Sequence, residues 1–585
     1  MPEGTVLVAN RGEIAVRIIR ACRELGLRSV AVYSDADAGA LHVRLADESH
    51  RIGPPPARAS YLDIDAVLGA AKATGANLVH PGYGLLSEDA GFAEAVTAAG
   101  LTFVGPSAEV IARMGDKVAA REVAEACGVP VPPGTGDLTA EAAPAAAERI
   151  GFPLVVKASF GGGGRGMRVV TAAAELADAM ASAAREAEAA FGRAEVHLER
   201  YLAPVRHVEV QVLADSHGRV LHLADRDCSV QRRHQKLIEE APAFGLPDSL
   251  RAALRQAAVK LAREVGYVGA GTVEFLVLPA TGEFFFLEMN TRLQVEHGVT
   301  ELVTGLDLVA TQLRVALGEP LPFTQEDVVV RGHAIQARIA AEDPAAGFRP
   351  APGPVADLAV PTGPGIRADF GVEAGDAVPA MYDSLFGKVL AHGHDRDSAR
   401  RRLIGALGEL RVAGPPTTAA YLRTILGSAL FAEGRHDTGS VERDWVPDAT
   451  EAAPAPTPSA PAAPGAVPVR RVRIATDRGP VEIAIHGRAA RPGVVTGASS
   501  RPAREGGASA ATASAGGPPT APMDATVVAV RVEPGQEIAA GEVVVVLEAM
   551  KMEMQVRAEV GGVVGSVLVS PGASVTAGTP LITLD

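Results

Sequence analysis

Residues 271–297 read GTVEFLVLPATGEFFFLEMNTRLQVEH. Two apolar runs, TVEFLV and FFFLEMN, flank Pro279–Gly282, a pattern that predicts a β-hairpin. Each run carries one carboxylate, Glu274 in the first and Glu288 in the second. A carboxylate inside an apolar strand is costly unless it is paired or bound to a metal. With Asn290, the pair offers hard oxygen ligands of the kind Mg²⁺ takes when it bridges nucleotide phosphates. The plainer alternative, two glutamates on a wet sheet face, fits poorly with the aromatic run Phe284-Phe285-Phe286.

Upstream, GFPLVVKASFGGGGRGMRVV (151–170) places a strand bearing Lys157 before a loop of glycines around Arg165, then a second strand. Such a loop has few side chains and many free N–H groups, and can close over a polyphosphate. No G-K-[ST] follows it, so it is not a P-loop. The lesser alternative, taken on this loop alone, is a loose glycine hairpin. MGDKVAAREVAEACGVPVPP predicts a helix with Lys117 in its first turn. Glu199 follows in EVHLERYL, and VRHVEVQVLAD alternates as a strand does. DRDCSVQRRHQKLIEEAP gathers Gln231, Arg232, Arg233, His234, Lys236, Glu239 and Glu240, which on composition reads as a solvated charged face. At the N-terminus TVLVA (5–9), a helical run IAVRIIRACRELG and SVAVYS give a βαβ opening of Rossmann type. It lacks G-x-G-x-x-G, which disfavours a dinucleotide site. NLVHPGYGLLSED (77–89) puts His80, Tyr83 and Glu88 in a strand-to-helix loop, where ligand-binding residues of α/β domains concentrate.

The paired carboxylates, the two lysines and the glycine loop together resemble the ATP-grasp fold. The strings HPGYG, MGDK, GGGGRGM, RHVEVQVL, DRDCSVQRRHQK and EMNTRLQVEH resemble biotin carboxylase in particular, over about residues 5–445. The resemblance implies that Lys117, Lys157, Gly163, Gly164, Arg165, Gly166, Met167, Glu199, Arg200, Tyr201, Leu202, His207, Gln231, His234 and Leu276 hold ATP. It implies Mg²⁺ (or Mn²⁺) at Glu274, Glu288 and Asn290. Lys236, Arg292, Gln294 and Val295 would hold bicarbonate, Glu296 would deprotonate it, and Arg338 would stabilise the enolate oxygen of biotin. The roles suit the chemistry: phosphoryl transfer is mostly positioning and charge neutralisation, and a guanidinium fork suits a small planar anion. Two positions depart from the family pattern, Phe160 before the glycine loop and Gly298 where Pro is common.

After 445 the composition shifts to an Ala/Pro linker, ATEAAPAPTPSAPAAPG (449–465). VRRVRIATDRGPVEIAIHG (469–487) reads equally as a hairpin or as a sticky piece of linker, and 489–522 is again linker. The C-terminal segment then repeats itself at an offset of 37: Pro534-Gly535 matches Pro571-Gly572, Gly541 matches Gly578 and Leu547 matches Leu584. Two copies of one β unit predict a small barrel or sandwich. Lys551 falls between the copies, in LEAMKMEM (547–554), framed by Met550 and Met552. Exposed apolar flanks on a tight turn need a reason. This segment resembles the biotinyl domain, whose A-M-K-M lysine carries biotin in amide linkage; Asp524-Ala525 and Met554 are departures that leave that lysine in place.

At 585 residues the chain should hold several domains. The expected division is a Rossmann-like unit at 1–113, an ATP-grasp unit at 114–320 with a mobile lid at about 131–203, and a biotin carboxylase C-terminal unit at 321–445. A linker at 446–520 and an all-β biotinyl domain at 521–585 complete it, so the class is α/β with a small β domain. A formal charge of −14 disfavours nucleic acid and anionic membrane as partners. Three scattered cysteines and no transmembrane run lead to a cytoplasmic expectation. The resemblance implies biotin on Lys551, ATP and bicarbonate as substrates, a biotin protein ligase, an oligomer, and a carboxyltransferase on another chain. The expected activity is that of the carboxylase and carrier subunit of an acyl-CoA (acetyl- or propionyl-CoA) carboxylase. The alternatives are the corresponding subunit of a two-subunit pyruvate carboxylase, or a non-catalytic carrier scaffold.

Overall fold

The structure, a computed structural model, describes residues 4–447 apart from 140, 159–166 and 192–193. It also describes the backbone of 469–476 and 479–486, and residues 518–584 apart from 524, 550–551 and 577. Gly163, Gly164, Arg165, Gly166 and Lys551 lie outside the described residues.

Near-continuous apolar runs make parallel strands buried on both faces. Accordingly β1 (Thr5–Val8), β2 (Arg28–Ser34), β3 (Glu48–Gly53), β4 (Leu78–His80) and β5 (Thr102–Phe103) form a parallel sheet ordered β3-β2-β1-β4-β5. The helix α1 (Gly12–Leu25) buries Ile14, Ile18, Ile19 and Cys22 against it. The loop after β4 carries Tyr83 and Glu88, as the sequence predicts, whereas His80 is the last residue of the strand itself. A second, smaller unit joins β6 (Leu154–Ala158), β7 (Arg168–Val170) and β8 (Val196–Arg200) as an antiparallel sheet ordered β7-β6-β8.

The sheet that positions the site has eight antiparallel strands. They are β9 (Arg206–Ala214), β10 (Val220–Arg232), β11 (Gln235–Ala241), β12 (Gly269–Val277), β13 (Phe284–Asn290), β14 (His333–Ala340), β15 (Ile366–Phe370) and β16 (Leu385–Gly393). The order is β13-β12-β9-β10-β11-β14-β16-β15, so one sheet runs from the 271–297 hairpin to the strand pair at 366–393. Strand alternation divides its faces. On one, Val208, Val210, Val212, Val273 and Phe275 pack with Leu254, Ala258 and Leu261 of the helix Asp248–Glu264. The other therefore receives His207, Glu209, Gln211, Thr272 and Glu274, all buried.

The backbone of Val469–Thr476 pairs with that of Gly479–His486 as a two-stranded antiparallel sheet. The C-terminal unit is a sandwich. Met552–Arg557, Val543–Ala549, Ala525–Val530 and Ser574–Val575 make one sheet; Glu537–Ile538, Gly562–Val567 and Ile582–Leu584 make the other. The offset-37 repeat is visible in its backbone. Gly535 and Gly572 have φ of 85° and 86°, and Gly541 and Gly578 have 87° and 83°. Its core repeats as well: Val527, Ile538, Val544 and Val545 are matched by Val564, Val575, Leu581 and Ile582. Among the described residues no helix is long and apolar enough to cross a membrane.

Candidate active site

The centre of the site is a row across four strands. Glu288 on β13 pairs with Glu274 on β12, Glu274 with Glu209 on β9, and Glu209 with Arg226 on β10. Three carboxylates directly opposite one another repel, so the row stands only with cations set into it. Arg226, fully buried, donates from Nε to Glu209 Oε1 at 2.5 Å. Its remaining N–H groups reach Gln211 (2.7 Å), Thr300 (2.9 Å) and Thr272 (3.0 Å). Lys236 on β11 lies over the row and donates from Nζ to Glu209 at 2.7 Å, Glu274 at 2.8 Å and Glu296 at 2.8 Å. Burial works against its charge, but these three carboxylates raise the Lys236 ammonium well above its usual range.

Glu296, with no exposed surface, begins the turn into the helix His297–Thr304. Its second oxygen accepts from Arg338 Nη2 on β14 at 3.0 Å, and Arg338 Nε reaches Glu239 at 2.5 Å. Burial alone would raise Glu296, yet Lys236, Arg338 and Arg226 hold it well below the ordinary carboxylate range. Arg292 donates to Glu88 (2.7 Å), Gln294 (3.0 Å) and Asn290 (2.8 Å). Gln294 and Asn290 both donate to Glu274, at 3.3 and 2.9 Å. His207 comes within 2.9 Å of Glu274, and Leu276 stands opposite His207 in the β12–β9 register.

The other expected residues lie around this centre. Lys157 on β6 pairs with Glu199 on β8, whose carboxylate falls below its usual range despite burial. Lys117 opens a helix capped by Asp116 and points Nζ at the Ala158 carbonyl, 3.5 Å away. Burial lowers the Lys117 ammonium. Arg200 ends β8, Tyr201 and Leu202 follow it, and Met167 precedes β7. Gln231 is buried at the end of β10, while His234 is exposed in the adjoining turn at φ 66°.

Composition misleads at DRDCSVQRRHQKLIEEAP. The structure buries most of this run: Arg226, Glu239 and Glu240 have at most 2 % of their surface exposed. The strands that carry them are interior to the sheet. Sequence reading singles out neither Glu209 nor Arg226 for a role. For Glu209 the signal was present, because His207, Glu209 and Gln211 alternate with Val208, Val210 and Val212. The Gly298 departure has a packing correlate: a Cβ there would meet Leu390 Cδ2 at 2.6 Å.

Residues 3–111 match the family described as biotin carboxylase, N-terminal domain, and 336–443 its C-terminal domain. Residues 116–324 match the ATP-binding domain of the carbamoyl-phosphate synthase L chain, and 519–584 the family described as biotin-requiring enzyme. A biotin carboxylase from Pseudomonas aeruginosa is 52% identical over 432 residues, which are 73% of this chain and 96% of that one. The chain belongs to the biotin carboxylase family. The alpha subunit of the mitochondrial methylcrotonoyl-CoA carboxylase of Oryza sativa is 49% identical over 441 residues, 75% of this chain and 60% of that one. A pyruvate carboxylase subunit of Methanothermobacter thermautotrophicus is 49% identical over 439 residues, 75% of this chain and 89% of that one. Among solved structures, the biotin carboxylase domain of a Hydrogenobacter thermophilus 2-oxoglutarate carboxylase, in complex with MgADP, ADP and bicarbonate, aligns with a TM-score of 0.73. It is 43% identical and covers 75% of this chain and 97% of that one.

As a biotin carboxylase, the chain is an ATP-dependent ligase that works within a carboxylase complex and requires biotin, ATP and Mg²⁺. The donor set suits Mg²⁺. Glu288 is raised by burial and then by Glu274 beside it, so its carboxylate is short of positive charge, and hard oxygens are what Mg²⁺ selects.

Proposed function

We propose that this chain is the biotin carboxylase and carrier subunit of an acyl-CoA carboxylase, loading CO₂ onto biotin at its own Lys551 for a carboxyltransferase on another chain. The observation that carries the catalytic reading is Glu296: a fully buried carboxylate kept ionised by Lys236 and Arg338. Glu296 is the base that takes the proton of bicarbonate, whose oxygen then attacks the γ-phosphate of ATP and expels ADP, and the resulting carboxyphosphate breaks down to CO₂ and phosphate. Lys236, Arg292, Gln294 and Val295 hold the bicarbonate. Lys117, Lys157, Glu199–Leu202, His207, Gln231, His234, Leu276 and the loop 163–167 hold the nucleotide. Glu274, Glu288 and Asn290 hold Mg²⁺, or Mn²⁺ in its place. Biotin supplies the ureido nitrogen that accepts CO₂, and Arg338 stabilises the negative charge on the ureido oxygen.

This division of labour has a direct consequence. Arg338→Ala is expected to lower biotin carboxylation at least ten-fold more than bicarbonate-dependent ATP cleavage, measured as ADP release with and without biotin. Equal losses in both would remove Arg338 from the biotin half of the reaction.

The acyl-CoA reading is favoured by the joining of carboxylase and carrier segments in one chain. In the Methanothermobacter pyruvate carboxylase protein the carboxylase match alone fills 89% of the length, whereas in the methylcrotonoyl-CoA carboxylase protein it fills 60% and leaves room for a carrier. The hairpin at 469–486 is our candidate docking element for the carboxyltransferase. A two-stranded hairpin is marginal alone, and its sequence places Val472 and Ile474, then Val481, Ile483 and Ile485, at alternate positions. Deleting 469–487 is expected to weaken binding to the carboxyltransferase at least ten-fold while biotin carboxylation stays within two-fold. The subunit that copurifies with the native protein identifies the acceptor: a carboxyltransferase acting on pyruvate would replace the acyl-CoA assignment.

A further inference from the structure

Lys388 is a fully buried lysine that the reaction as described above does not use. It sits on β16 directly opposite Arg338 of β14, and opposite Asp369 on its other side. Its Nζ donates to the carbonyl of Val295 at 2.7 Å and lies 3.0 Å from Glu13 Oε1. Glu13, in the first turn of α1, also accepts from the Tyr83 hydroxyl through that same oxygen, and its Oε2 has no hydrogen-bond partner among the described residues. The approach is close by construction. A Cβ on Gly371, just past β15, would stand 2.5 Å from the Glu13 backbone nitrogen, so a glycine there lets the two segments touch. One ammonium thus ties three separate pieces of chain: α1, the loop carrying Val295 and Glu296, and β16.

The tie has a defined geometric effect. The carbonyl and N–H of a trans peptide point in opposite directions. Fixing the Val295 oxygen on Lys388 therefore fixes the plane of the peptide from which Glu296 springs. We infer that Lys388 is a positioning residue for bicarbonate, held in place by Glu13, and that it acts by setting the Val295–Glu296 peptide rather than by touching substrate. The inference rests on the placement of bicarbonate beside Arg292, Val295 and Glu296 proposed above. Misplacing a reacting group by about 1 Å costs on the order of a hundred-fold in rate, and a tilt of this peptide is expected to show first as weaker bicarbonate binding.

The test uses the full chain, with Mg-ATP and bicarbonate as the varied substrates and ADP release as the readout. Lys388→Met cannot donate to the Val295 carbonyl. It is expected to raise the KM for bicarbonate at least ten-fold while the KM for ATP stays within two-fold. Glu13→Gln keeps an acceptor for Tyr83 and leaves Lys388 on the carbonyl, and should raise the bicarbonate KM by less than three-fold. Because Lys388→Met leaves the Glu13 charge buried without its partner, the double variant Glu13→Gln/Lys388→Met removes both charges and guards against simple unfolding. It should keep a cooperative thermal transition and still show the bicarbonate defect. A double variant with wild-type KM for bicarbonate, or with the two KM values rising together, would overturn the inference. Failure of the underlying site placement would look different: Glu296→Gln and Arg292→Ala would then leave bicarbonate-dependent ADP release intact, whatever Lys388 does.

Discussion

Glu296→Gln is expected to cut bicarbonate-dependent ATP cleavage by about a hundred-fold or more, the usual scale of general acid–base contributions. The amide keeps the size of the side chain and can still accept from Lys236 or Arg338, so loss of fold is not the expected cause. What disappears is the basic oxygen. In the native site that oxygen is available at neutral pH because Lys236, Arg338 and Arg226 hold Glu296 well below its ordinary range against the opposing effect of burial. The sign of the pH dependence follows. A base with a lowered pKa is active above that pKa and fails only when the pH falls through it. Removing one cation, as in Arg338→Met, raises the Glu296 pKa and should move the acid limb of ATP cleavage to higher pH. An unmoved acid limb would show that another group takes the proton.

Lys551→Arg should abolish biotinylation altogether. Arginine keeps the positive charge but has no primary amine from which the ligase can form an amide. Intact mass of the wild-type chain, produced in a host with a biotin ligase, should show one biotin, and the variant none, with streptavidin binding lost in parallel. Bicarbonate-dependent ATP cleavage belongs to another part of the chain and should remain within about three-fold. A lipoyl mass shift on the wild type would overturn the assignment of the attached group.

How much of this was legible in the sequence depended on whether the chemistry was local. The 271–297 hairpin announced itself because two carboxylates interrupt apolar strands, and the structure pairs them in register. The offset-37 repeat was legible for a similar reason: a turn that needs positive φ recruits glycine, and Gly535, Gly541, Gly572 and Gly578 recur at matched φ. What composition concealed was the eight-stranded sheet itself. Strand order is a non-local property, and it is the order β13-β12-β9-β10 that lines up Glu288, Glu274, Glu209 and Arg226. Without it, Arg226, Glu239 and Glu240 look like solvated charges. Lys388 illustrates the limit most sharply. It stands 375 positions from Glu13 in sequence and yet 3.0 Å from it in the fold. Nothing in LFGKVL distinguishes it from a snorkelling surface lysine.

We propose that this chain loads CO₂ onto its own biotin and hands it to a carboxyltransferase on another chain for transfer to an acyl-CoA. The most direct measurement follows labelled bicarbonate through both halves. With ATP and Mg²⁺, the biotinylated chain alone should acquire label in proportion to ADP released, and should pass none of it to acetyl-CoA or propionyl-CoA. On adding the carboxyltransferase that copurifies with it, the label should leave the chain and appear in the acyl-CoA. Labelled acyl-CoA formed by the isolated chain, or label that never reaches an acyl-CoA when that carboxyltransferase is present, would overturn this division of the reaction between two chains.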